Sequence, residues 1–112
     1  MWEVRHHPDA EDERSGLPVK ERVAADNAIQ KLEALGEALP FPHQSAVQGV
    51  KGGSLRELRP RAGRSPWRPL YCRIGEIFVV LAVAPEAQVD KRGFDKAVEA
   101  ALKRRSEIES ED

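Results

Sequence analysis

A net charge of −1 over 112 residues, with a single cysteine, bounds what this chain can be. The length suits one domain, residues 1–112, with a modest core, and Cys72 alone excludes an internal disulfide framework and fits a reducing compartment. No cationic leader with an apolar run opens the sequence, and Ile77 to Ala84 falls short of the roughly 20 apolar residues of a membrane span, so a cytoplasmic protein with no membrane partner is expected.

In chain order, Trp2-Glu3-Val4-Arg5-His6 alternates apolar and polar and predicts a half-buried first strand. Pro8 breaks it, and Asp9-Ala10-Glu11-Asp12-Glu13 opens a short acidic helix that Gly16 and Pro18 interrupt. From Pro18 to Leu35, Val19, Val23, Ile29 and Leu32, with Ala25 and Ala28 between, predict the inner face of a second helix, stopped at Gly36. Two prolines keep Leu39-Pro40-Phe41-Pro42-His43 out of helix and central strand, and Gly49, Gly52 and Gly53 extend the irregular stretch to Ser54. Three strand-like runs follow, Leu55–Arg59, Trp67–Ile74 and Ile77–Val83, with a tight turn at Gly75-Glu76. The last strand, apolar on both faces, should be central. A final helix runs from Lys91 or Arg92 to about Glu109, with Phe94, Val98, Ala101, Leu102 and Ile108 inward and a frayed acidic tail at about 109–112. The expected fold is α+β, with two N-terminal helices and one C-terminal helix on one side of a twisted antiparallel sheet of about four strands.

Charge is segregated along the chain. Residues 1–40 carry five basic and nine acidic side chains, whereas 51–73 carry Lys51, Arg56, Arg59, Arg61, Arg64, Arg68 and Arg73 against Glu57 alone. Guanidinium forks suit phosphate oxygens, so an anionic partner is expected, with nucleic acid first. The plain alternative is a solvated sheet face, but such faces mix both signs.

The block Leu55-Arg56-Glu57-Leu58-Arg59, Arg68-Pro69-Leu70-Tyr71-Cys72-Arg73 and Ile77-Phe78-Val79-Val80-Leu81 resembles toxins of the RelE/ParE superfamily. The phage-derived HigB-like branch is the nearest match. Its lead-in is matched by Gly36-Glu37-Ala38-Leu39-Pro40-Phe41-Pro42-His43, and the resemblance spans roughly Val19 to Arg104. It implies the RelE-like fold and a toxin neutralised by a helix-turn-helix antitoxin. In the nuclease members it implies ribosome-dependent, metal-independent mRNA cleavage without a cofactor, the ribose 2′-hydroxyl attacking its own 3′-phosphodiester. Arg59, Arg68 and Arg73 match basic strand positions that would stabilise the phosphorane, and Tyr71 matches a strand aromatic that would stack on a base or orient the phosphate. Lys51, Arg56, Arg61, Arg64 and Trp67 would bind RNA or the ribosome.

The match is incomplete. Leu81-Ala82-Val83-Ala84-Pro85-Glu86 stands where many relatives have a Phe-x-Lys-Lys motif, leaving His43 or Glu86 as candidate general bases. Two alternatives follow, a ParE-like toxin acting on DNA gyrase and a phage-derived binding protein without toxic activity. Structural readings stand beside the functional ones. Tyr71 and Trp67 are equally packing residues, Trp2 is core, Glu57 pairs with a neighbouring arginine or acts as a base, and Lys103-Arg104-Arg105 forms a solvated face or contacts the RNA backbone. His6, His7, His43 and Cys72 have no metal-ligand spacing.

Overall fold

The computed structural model describes residues 1–51 and 54–110. The elements are β1 (Glu3–His6), α1 (Pro8–Ser15), α2 (Val19–Leu35), β2 (Gln44–Ala46), β3 (Arg56–Leu58), β4 (Trp67–Ile74), β5 (Ile77–Pro85) and α3 (Lys91–Ser110). They make an α+β domain on one five-stranded sheet in the order β1-β5-β4-β3-β2. The apolar β5, expected to be central, is an interior strand between β1 and β4 and is covered on both faces, while β4 holds the middle position.

Three expectations change. The sheet is mixed, because β1 runs parallel to β5, with Glu3 opposite Ile77 and His6 opposite Val80. It gains β2 from the stretch read as irregular. Gln44, Ser45 and Ala46 carry no apolar alternation, and their pairing with Leu58, Glu57 and Arg56 is made through the backbone. Gly52 and Gly53 of that stretch lie outside the described residues, as do Glu111 and Asp112. The helices, finally, cover both faces rather than one. Ala28, Ile29 and Leu32 of α2 pack on Leu58, Tyr71, Phe78 and Val80, while Phe94 and Ala101 of α3 pack on Leu70, Cys72, Val79 and Leu81.

Between β4 and β5 the register slips by one residue. Leu70 faces Ala82 but Tyr71 faces Val80, so Leu81 is the extra residue of a bulge. Consecutive Leu81 and Ala82 therefore both join the α3 side of the core.

The helix faces differ from the predicted ones in detail. Ala24, Ala25, Ala28, Ile29 and Leu32 form the buried stripe of α2, and three small side chains let it lie close to the sheet. Val19 and Val23 flank that stripe and face solvent, as does Leu102 on α3. Arg104, read as part of a solvated face, instead spans to α1. It donates to Glu13 Oε2 at 2.9 Å and to the Leu81 carbonyl at 2.8 Å, while Glu13 Oε1 accepts the Val83 N–H at 3.0 Å. Helix α1 thus occupies the margin of β5 beyond the end of β1, with its own entry fixed by the His7 N–H to Val80 carbonyl bond.

His6 ends β1 with its Nε2 buried and without a hydrogen-bond partner. Burial holds its pKa below the ordinary 6.5, against the opposing pull of Glu11. The unfolded chain therefore binds more protons than the native one once the pH falls below about 6.5, and stability falls with pH in that window. Denaturant titrations at pH 7.5 and 5.5 should show this loss, and His6→Gln should flatten it. An unchanged slope in the variant would place the titrating group elsewhere. Glu11 and Glu21, held below 4.5 by Arg14 and Arg61, lose their contributions only at lower pH.

Candidate functional site

The arginines of 51–73 do not meet in one cradle. Residues alternate across a strand, so Arg68 of β4 projects on the α3 side of the sheet and Arg73 on the α2 side. Five residues of strand also separate them by about 17 Å. The structure builds two clefts instead.

The first cleft, about 280 Å³, is lined by Glu57, Arg59, Gly63, Arg68 and Glu86. Arg61, Ala62 and Gly63 all take positive φ, which folds the β3–β4 loop back so that its carbonyls aim at Arg68. Arg68 is only 3% exposed. Its guanidinium donates to the Gly63 carbonyl at 3.1 Å, the Trp67 carbonyl at 3.1 Å, the Ser65 carbonyl, and Glu86 Oε2 at 2.8 Å. Glu57 Oε1 lies 3.8 Å from its Nε. Burial lowers the Arg68 pKa, offset by Glu86 and Glu57.

Arg59 is the more accessible cation. It donates to Glu57 Oε1 at 3.3 Å and to the Pro42 carbonyl at 3.1 Å, and lies 5.3 Å from the centre of the exposed Phe41 ring. A Cβ on Gly63 would stand 2.6 Å from Arg59 Nη2, so the glycine makes room for this side chain. The expected pairing of Glu57 with arginine is present, and Ser45 Oγ also donates to it. Arg59 is thus the cation of this cleft open to a phosphodiester, with Glu57 and Glu86 as proton acceptors and Arg68 holding both carboxylates in place. Among the described residues, no three His, Cys, Asp or Glu side chains are grouped to hold a metal ion.

The second cleft, about 380 Å³, lies at the other end of the sheet and is lined by Arg56, Tyr71, Arg73 and Arg105, with Gln44 and Glu37. Tyr71 is buried, edge-on to Phe78 at 5.7 Å, and burial raises its hydroxyl pKa, so it stays a donor. Arg73 pairs with Glu37 and lies 5.1 Å from the Trp2 ring. Tyr71 and Arg73 are thus apart from Arg59 and Arg68, contrary to a single catalytic group.

The remaining candidates disperse. Arg61 is held by Glu21 at 2.8 Å on the α2 side, and Arg64 and Lys51 are exposed. Trp67 packs with Leu17, Ala25 and Val83, its structural reading. His43 lines a neighbouring depression of about 100 Å³ that shares Arg59 with the first cleft, whereas Glu86 faces Arg68 directly. Burial pushes the Cys72 thiol up to about 11, which leaves it protonated and inert as a nucleophile. Arg105 belongs to the basic run Lys103-Arg104-Arg105, read as a solvated face with an RNA-backbone contact as its alternative, and the packing of α3 brings it to the second cleft.

This architecture is the RelE-like fold. An arginine double mutant of the E. coli toxin RelE in the free state superposes with a TM-score of 0.61 at 15% identity, over 88% of this chain and 95% of that one. The archaeal RelE–RelB complex from Pyrococcus horikoshii OT3 gives 0.56 at 19% identity, over 78% of this chain and 97% of that one. Residues 12–105 match the family described as "Phage derived protein Gp49-like (DUF891)", and the chain belongs to that family. No curated protein matches by sequence.

Proposed function

We propose that the protein is the toxin of a toxin–antitoxin pair, a metal-independent endoribonuclease that cuts translated mRNA on the ribosome, with the first cleft as its reaction site. The observation that carries this reading is the pairing, in one cleft, of a phosphate-type cation with an accessible carboxylate: Arg59 beside Glu57, and Glu86 beside Arg68. Glu86 takes the proton of the 2′-hydroxyl, the 2′-oxygen bonds to phosphorus, and Arg59 holds the charge of the phosphorane. The 5′-oxygen leaves with a proton from water, giving a cyclic phosphate and a free 5′-hydroxyl. Arg68 is a positioning residue that fixes Glu86 and Glu57. Support for an antitoxin partner comes from the similarly folded archaeal RelE, whose structure was obtained as a complex with RelB; a helix-turn-helix partner remains part of this proposal.

Primer extension on mRNA from induced cells tests it. Codon-linked cuts are expected with the wild-type chain, and Arg59→Ala should weaken them about tenfold or more. Cuts unaffected by Arg59→Ala would move the site elsewhere. One observation favours a second reading: the first cleft has two carboxylates for two arginines and so no net positive charge. A ParE-like toxin needs no RNase side chains, and growth arrest with intact mRNA and trapped gyrase–DNA complexes would establish that alternative.

A further inference from the structure

The second cleft is as cationic as the first is balanced. Three guanidinium groups from three elements, Arg56 of β3, Arg73 of β4 and Arg105 of α3, line it with the carboxylate of Glu37, and Glu109 pairs with Arg105 from outside the lining. The opening exists because β3 pairs with β4 only at Tyr71 and Leu70, so β4 from Cys72 onward has no β3 neighbour.

Much of the donor capacity here is loosely engaged. Arg73 and Glu37 are 41% and 60% exposed in their side chains, a solvent-screened pair that an incoming anion can displace. Arg56 spends its Nε on Gln44 Oε1 at 2.7 Å, and its charge acts on the Tyr71 hydroxyl against the effect of burial. Arg105 donates one Nη to the Ser54 carbonyl at 3.0 Å, while its Nε is buried without a hydrogen bond, 3.4 Å from Glu109. The ring of Trp2 beneath Arg73 holds that guanidinium in place. Planar forked donors converging from three sides match a tetrahedral oxyanion, and the volume admits a phosphate with its sugar.

We propose that Arg56, Arg73 and Arg105, with the Tyr71 hydroxyl, form a binding site for the phosphate group of a nucleotide, distinct from the first cleft. The same chemistry is offered by a backbone phosphate of an RNA strand or by a free nucleotide. The site does not depend on the nuclease reading, since no residue is shared between the two clefts.

The test is a titration of the full-length ¹⁵N-labelled protein, followed by NMR at the arginine Nε–H signals. The probes are inorganic phosphate, AMP and a 2′-O-methyl oligoribonucleotide that cannot be cleaved. Saturable shifts are expected at Arg56, Arg73 and Arg105, with affinity for AMP or oligonucleotide falling about tenfold in Arg73→Gln and in Arg105→Gln. Arg73 is exposed, so its variant keeps the fold even if Arg105→Gln, which loses the Ser54 contact, does not. Oligonucleotide binding tighter than AMP, with a steep salt dependence, identifies a strand site; AMP binding as tight as the oligonucleotide identifies a free-nucleotide site. Shifts that do not saturate, spread over other surface arginines, or persist unchanged in Arg73→Gln overturn the proposal.

Discussion

Arg68→Ala is expected to cost about 3–5 kcal/mol of folding stability, the range for breaking one side of a buried ion pair. The guanidinium serves three carbonyls and Glu86 in a position 3% exposed to solvent. Its removal leaves the loop carbonyls of Gly63 and Ser65 without their donor and Glu86 and Glu57 facing each other across an emptied volume. Urea denaturation reads the loss. Removing Glu86 as well should recover part of it, because much of the cost is the stranded carboxylate. A change below about 1 kcal/mol would mean that the side chain swings out to solvent and is free to meet a substrate. The consequence for function is direct: loss of mRNA cleavage in Arg68→Ala alone cannot assign this residue to catalysis, whereas Arg59→Ala leaves the buried network in place.

A second large effect is expected at Gly36, the first residue after α2. It has φ +56° and ψ −130°, a combination essentially confined to glycine. A Cβ there would stand 2.1 Å from Trp2 Nε1 and 2.3 Å from Cε2. Gly36→Ala therefore combines backbone strain with displacement of the indole that packs on Phe78 at 5.0 Å and on Arg73. Together these should cost about 3 kcal/mol or more, measured by denaturation. Trp2→Ala alone removes the clash, so in that background the same glycine substitution should cost only its backbone share, about 1–3 kcal/mol. Equal costs in both backgrounds would show that the ring moves aside freely.

Much of the fold was legible from periodicity. The strands at Trp67–Ile74 and Ile77 onward and the helix ending before Gly36 follow from apolar spacing and punctuation by glycine and proline. β2 was not, because an edge strand of Gln, Ser and Ala buries little and its signal lies in backbone pairing. Val19 and Val23 misled for a related reason: α2 packs through alanines, whose low hydrophobicity hides a close helix–sheet contact. The site was legible in kind but not in arrangement. Charge segregation singled out the arginines, yet strand alternation, the loop of left-handed residues before β4 and the carboxylates of distant elements decide which are available. Glu21, Glu37 and Glu86 lie far in sequence from the arginines 61, 73 and 68 that they hold. Composition within 51–73 could not reveal that neutralisation.

Past the end of β1, the Glu13 carboxylate of α1 stands where that strand would have continued along β5, satisfying the Val83 N–H beside the most apolar segment of the chain. The protein keeps that flank from templating onto another copy with one acidic group, itself pinned by Arg104, rather than with further backbone. How well that edge stays covered is thereby tied to how firmly α1 and α3 stay docked together.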